Sequence, residues 1–410
     1  MGISNFTLLL RSAGCKPTRE ILYFDSILID IQSVIHAKLG FSSKYSRRDI
    51  VQDVCFNVVR WVRESVFNAM INQIHNPNIT IVICFDGSGV PMKWPIQAER
   101  RKHNHSNPSE KDLLKKSLFE HNHISYEVYL WLEREIEQNF SLWNVPEDRF
   151  DSIRFILSSS EMDGEGEHKM FRIAHLYSLE EPLVLSVDND VFILALMREY
   201  KQIQIGKDCS SIYHLSDLFS YRKFKILIAI SFLFGNDFFP EIIGITQGNV
   251  DRIYNIIYDM EVTDVSNIPL VMHEFLERIQ KNIRYTKIHD YEDVLFLEFW
   301  KNVFWMIDYY TLNVEFKQKY KQNQLWSVFD RNRFLTAAIN DFSYFRNTFD
   351  RATGEYGKVT SKNNTSQEEK INYIFGSESE RVRELLLLKS EGHQHLTEIV
   401  LTKKKKNKMH

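Results

Sequence analysis

The chain has 410 residues, 44% apolar and 13% aromatic, which supports a sizeable core in two or three domains or one large α/β unit and excludes wholesale disorder. Its formal net charge of −3 excludes a generally basic nucleic-acid binder, so any such contact needs a local basic face. Cys15, Cys55, Cys84 and Cys209 form no CxxC pair and fit neither a zinc framework nor a disulfide scaffold, the pattern of a reducing intracellular compartment.

The first 250 or so residues alternate between strand and helix signals. The opening string MGISNF lacks the basic and apolar regions of a secretory signal. Ile27–Ile31 is a short β-branched run that reads as a buried strand, and Arg48–Ile74 as a helix. Ile79–Phe85, Ile153–Leu157 and Leu183–Val187 are further buried strands of a mainly parallel sheet. Between them, helices are expected over Leu113–Gln138 and Glu167–Tyr177. Phe224–Phe234 is a nearly unbroken apolar run closed by Gly235-Asn236-Asp237, and reads as a buried helix that delivers Asp237. From about residue 256 the pattern turns mostly helical and aromatic, with Thr353–Glu369 expected as a polar loop and 403–410 as a disordered basic tail. The expected units are therefore 1–255, 256–402 and 403–410. No apolar run reaches the ~18 residues of a membrane span.

Seven acidic residues follow these buried segments: Asp30, Asp86, Glu165, Glu167, Asp188, Asp190 and Asp237. In α/β sheets ligands bind beyond the carboxyl ends of the strands, where most of these acids stand. Glu165 and Glu167, like Asp188 and Asp190, are two apart, so in extended chain each pair faces one side. Carboxylates gathered there repel one another unless cations sit between them. Hard ions such as Mg²⁺ or Mn²⁺ take oxygen ligands, and two of them ~4 Å apart suit phosphodiester cleavage. Each cluster taken alone also reads as turn acids or helix N-caps; five clusters placed where the chain leaves its sheet or a buried helix favour metal.

Beyond Asp86, Lys93, Gln97, Arg100 and Arg101 fall at i, i+4, i+7 and i+8, one face of a helix that Pro95 can start. Such a face matches a terminal phosphate, against the blander reading of a solvated basic face.

These motifs resemble the Xrn family of 5′→3′ exoribonucleases, a branch of the flap-endonuclease superfamily. MGISNF is similar to its MGVPxF start, and IDIQSVIH to its DxNSxxH segment through Asp30, Ser33 and His36. FDG with its downstream basic residues, GEGEHK, DND and FLFGNDFFP each resemble a family string. The resemblance covers Met1–Arg252 and implies a PIN-like α/β fold, with two Mg²⁺ or Mn²⁺ ions on the seven carboxylates. It further implies a 5′-monophosphate pocket at Lys93, Gln97, Arg100 and Arg101, with His36 contacting the first nucleotide. WMIDYYTLN resembles a W-x-x-x-Y-Y stretch and nominates Trp305 as a base-stacking aromatic.

The expected activity is metal-dependent 5′→3′ degradation of 5′-monophosphorylated single-stranded RNA by a monomeric protein in the cytoplasm or nucleus. A flap-endonuclease-like DNase is the runner-up, although GITQGNVDRI lacks that branch's GIGPxxA turn. A catalytically silent nucleic-acid-binding scaffold is the third reading.

Overall fold

The computed structural model describes residues 5–71, 78–87, 109–120, 123–145, 150–162, 164–198, 202–215, 221–235, 241–261, 267–279, 293–310, 334–335, 338–339, 341–360 and 396–402. After helix α1 (Phe6–Ser12), strand β1 (Ser26–Asp30) is buried at every position. Helices α2 (Gln32–Phe41) and α3 (Arg47–Met70) lead to β2 (Asn78–Cys84). Ser46 caps α3 by accepting the Asp49 N–H, the expected way to satisfy a free amide in a first turn. Helices α4 (Glu110–Glu120) and α5 (His123–Asn139) precede β3 (Ser152–Ser158). Next come α6 (Gly166–Leu176), β4 (Pro182–Leu185) and α7 (Asp190–Arg198). The short strands β5 (Gln204–Gly206) and β6 (Ile212–His214) are followed by α8 (Tyr221–Ser231), α9 (Val250–Asp259) and α10 (Ile268–Ile279). Helices α11 (Asp293–Tyr310) and α12 (Phe342–Thr360) and strand β7 (Leu396–Thr402) complete the described chain.

The strands form one sheet in the order β6-β5-β4-β1-β2-β3-β7. The five central strands pair in parallel, while β6 and β7 are antiparallel edges. Side chains alternate between two cores, as the two-residue period of a strand requires. Ile27, Ile29, Ile81 and Ile83 pack under α2, α3 and α5. Leu28, Val82, Val184 and Ile156 pack under α6 to α10, with α11 and α12 in the same apolar body. Burial of both faces explains why the strands read as continuous apolar runs.

The chain steps outward from β1 to β2 to β3, then crosses to β4 on the other side of β1. The direction of winding reverses there, which opens a crevice beyond the carboxyl ends of β1 and β4.

One expectation about the elements needs correction. Thr353–Thr360 continue α12 rather than forming a loop. Gly354 and Gly357 disfavour helix by about 1 kcal/mol each. Upstream packing outweighs that cost: Phe345 and Phe349 of α12 lie 4.8 and 4.9 Å from the Trp300 ring. The helical stretch expected over Leu113–Gln138 is described as α4 and α5. The C-terminal region is mostly helical as expected, and strand β7 within it adds an edge to the sheet. Among the described residues, no helix is long and apolar enough to cross a membrane.

Candidate active site

Parallel register sets the centre of the site. Ile29 pairs with Leu185 of β4, and Asp30 with Cys84 of β2. The residues that leave β1, β2 and β4 are therefore neighbours: Asp30, Asp86, and the turn from Ser186 to Asp190.

Asp30 is 4% exposed. Its Oδ1 accepts the Gln32 N–H at 3.1 Å, and its Oδ2 accepts the Ser186 hydroxyl at 2.9 Å. Burial first, then the neighbouring charges of Asp86 and Asp188, push its carboxyl up to about 8, against the opposing pull of those two hydrogen bonds. A carboxylate buried beside two other acids ionises at a cost that a bound cation would offset.

The exit of β2 is tied to the N-terminus of α6 by three hydrogen bonds. Gly166 N–H donates to Asp86 Oδ1 at 2.7 Å, Gly87 N–H to the Gly164 carbonyl at 2.8 Å, and Lys169 Nζ to the Phe85 carbonyl at 2.7 Å. Lys169 also donates to the Ser159 carbonyl at 2.9 Å and is buried. Two backbone carbonyls thus fix its amine beside the exits of β2 and β3. The Cys84 thiol records the local balance: burial raises it, Lys169 lowers it, and Asp30 and Asp86 raise it again.

Around the start of α6, Glu165, Glu167 and His168 are buried with ligand atoms within 4.8 Å of one another. Asp190 opens α7 and is buried, its N–H donating to Asp188 Oδ1 at 3.0 Å. The donor set is mainly carboxylate oxygen with one imidazole. That chemistry fits a hard divalent cation, and the raised Asp30 carboxyl marks the charge such a cation would neutralise.

The structure gathers Asp30, Asp86, Asp188 and Asp190 at one sheet end. It brings Glu165 and Glu167 against them through Gly166, where a Cβ would stand 2.8 Å from Asp30 Oδ1 and 3.2 Å from Asp86 Oδ1. His36 is exposed on α2. Asp237, Lys93, Gln97, Arg100 and Arg101 lie outside the described residues. The helix expected to deliver Asp237 is α8, and Gly235 beyond it takes φ +75. A Cβ there would meet Glu241 Cα at 2.6 Å, so this turn requires glycine. Trp305 is 2% exposed within the helical core, which leaves no ring face for a base.

Sequence reading assigned no role to Gly166, His168, Lys169 or Ser186. Gly166, His168 and Lys169 lie inside the GEGEHK string, and Ser186 stands two residues before Asp188, the spacing of a hydroxyl turn, but neither signal names a role. Gly166 yields a direct expectation. Gly166→Ala drives a methyl into two carboxylates, and single-turnover cleavage should fall by about 100-fold with the helical circular dichroism retained. A near-wild-type rate would remove Gly166 from the site's architecture.

A search of curated proteins found no match. Among solved structures the chain is similar to the catalytic core of Rad2 in complex with DNA substrate, at 13% identity and a TM-score of 0.35, with 83% of this chain and 86% of that one covered. Residues 1–208 match the family described as the XRN 5′–3′ exonuclease N-terminus. That match spans just over half of the 410 residues and takes in β1 to β5, α6 and α7, so the chain belongs to the XRN 5′–3′ exonuclease family.

Proposed function

We propose that the protein is a divalent-metal-dependent 5′→3′ exoribonuclease acting on single-stranded RNA with a 5′ monophosphate. The observation that carries this reading is the crowding of acids at the β1–β4 crevice, with Asp30 pushed up to about 8 by burial and its acidic neighbours. Asp30, Asp86, Glu165, Glu167, Asp188, Asp190 and Asp237 would hold two Mg²⁺ or Mn²⁺ ions. Such ions, when bound, supply an acidified water and positive charge at the scissile phosphate.

The chain's own groups do the positioning. Gln32 N–H and the Ser186 hydroxyl orient Asp30, Gly166 N–H orients Asp86, and Lys169 locks the loop that carries Asp86. In this reading Lys93, Gln97, Arg100 and Arg101 grip the 5′ phosphate, since guanidinium groups match phosphate oxygens bidentately. His36, exposed on α2, guides the first nucleotide.

The test is incubation with Mg²⁺ and end-labelled single-stranded RNA bearing a 5′ monophosphate or a 5′ hydroxyl, beside a DNA flap. Mononucleotides released from the 5′-phosphate RNA alone are expected. Flap incision with little RNA decay would assign the chain to structure-specific DNA cleavage, and binding without cleavage would make it a scaffold. Arg100→Ala combined with Arg101→Ala should slow decay of 5′-phosphate RNA by about 10- to 100-fold, the worth of one or two charge-assisted hydrogen bonds. Equal loss on 5′-hydroxyl RNA would count against the phosphate pocket.

A further inference from the structure

We propose that Ser186 is a positioning residue that holds the carboxylates of β1 and of the β4 exit in one geometry for divalent-cation binding; this rests on the metal-dependent reading above. Ser186 is 5% exposed and stands one residue past β4, beside Asp30 in the parallel register. Its backbone is fixed, because its N–H donates to the Gly206 carbonyl at 2.9 Å and extends the β4–β5 ladder.

The hydroxyl does two things at once. It donates to Asp30 Oδ2 at 2.9 Å and accepts the Asp188 N–H at 3.1 Å. A serine hydroxyl has one proton and two lone pairs. With a lone pair committed to Asp188 N–H, the proton is directed at Asp30. The chain of contacts continues, since Asp188 Oδ1 accepts the Asp190 N–H at 3.0 Å. One hydroxyl therefore links Asp30, which Gln32 N–H holds at its other oxygen, to the turn that carries Asp188 and Asp190. Groups that hydrogen-bond to metal-ligating carboxylates fix ligand orientation, and losing one costs about 10- to 100-fold in metal affinity.

The competing view is that Ser186 only shapes a local turn. Alanine separates the two, because a turn role predicts a small loss of fold stability and no change in cation affinity. Threonine keeps the hydroxyl on the same carbon and should restore both contacts.

The experiment is calorimetric titration of Mn²⁺ into metal-free wild type, Ser186→Ala and Ser186→Thr, with thermal unfolding of each in chelator. Ser186→Ala should bind Mn²⁺ about 10- to 100-fold more weakly than wild type, and Ser186→Thr should bind close to wild type. Should Ser186→Ala fail to fold, Ser186→Cys, of similar size but with a weak donor, must show the same loss of affinity. Wild-type affinity in Ser186→Ala, or equal weakening in alanine and threonine variants, overturns the role of Ser186 while leaving the nuclease reading intact. Wild-type protein that binds no Mn²⁺ overturns both.

Discussion

Replacing Asp30 with asparagine is expected to silence cleavage and, in metal-free protein at pH 8, to raise the unfolding temperature. The two effects share one cause. Asp30 is buried at the end of β1, beside Asp86 and Asp188, and those surroundings push its carboxyl up to about 8. An acid whose folded-state value lies above its unfolded value of about 4 holds its proton more tightly when folded. Fold stability therefore falls as pH rises from about 4 to about 8, and the ionised carboxylate costs the metal-free fold on the order of a few kcal/mol above that window.

Asparagine carries no charge at any of these pH values and keeps the shape of the site. Its carbonyl can accept Gln32 N–H, and its amide can donate to the Ser186 oxygen, which has a second lone pair. The variant should thus unfold a few degrees higher than wild type at pH 8 and show a flatter pH dependence between 5 and 8. Adding Mn²⁺ at pH 8 should stabilise wild type much more than the variant. Cleavage should drop by at least about 100-fold, because one ligand charge is lost where the scissile phosphate must be neutralised. Scanning calorimetry at several pH values with and without Mn²⁺, together with single-turnover cleavage, reads all of this. A variant that cleaves at full rate would sink the metal assignment. One that is less stable at pH 8 would show that neither burial nor the neighbouring acids penalise the ionised Asp30 in the fold.

What could be read from the sequence follows from the range of the interactions involved. Strands β1 to β4 were legible because each is a β-branched run buried on both faces, a local property. Asp30, Asp86, Asp188 and Asp190 were legible because each lies at or just past the end of such a run. Gly166 and Ser186 were opaque because their roles depend on register. Gly166 matters through Asp30 and Asp86, and Ser186 through Asp30, contacts made across strands far apart in sequence. Lys169 reaches Phe85, 84 residues away, which no spacing rule anticipates. Strands β5 and β6 are three residues each, too short for periodicity to register. Trp305 resembled a stacking aromatic only by its neighbours in sequence; its burial in a core assembled from several helices far apart in the chain is not visible in a local string.

Strand β7 gives the second large effect. Deleting residues 396–410 is expected to convert a folded protein into an aggregating one. β7 pairs antiparallel with β3 along its whole length, from Leu396 opposite Ser158 to Thr402 opposite Ser152. Ile399 and Leu401 pack on one core and Leu396 on the other. Tyr129 and Thr397 share a hydrogen bond between hydroxyls, and Arg154 meets Glu398 at 3.1 Å. The ion pair is about 40% exposed on both sides and contributes little. Ladder hydrogen bonds and three half-buried aliphatic side chains contribute on the order of 5 kcal/mol. That is comparable with the whole net stability of a typical domain. Deletion would also bare the edge of β3, whose sequence SIRFILS holds four large apolar residues and no proline. Such an edge invites pairing with another chain. The truncated protein should elute as aggregate on size exclusion, with any soluble fraction unfolding well below the full chain. Glu398→Gln, which removes the charge of the exposed ion pair and leaves an amide oxygen to accept from the Tyr177 hydroxyl, should change the unfolding free energy by less than about 1 kcal/mol. A truncated chain that stays monodisperse with an unchanged unfolding temperature would show that β7 decorates the sheet rather than completing it. The expected result makes Leu396–Thr402 part of the frame on which the exit of β3 and the loop fixed by Ser159 and Lys169 depend.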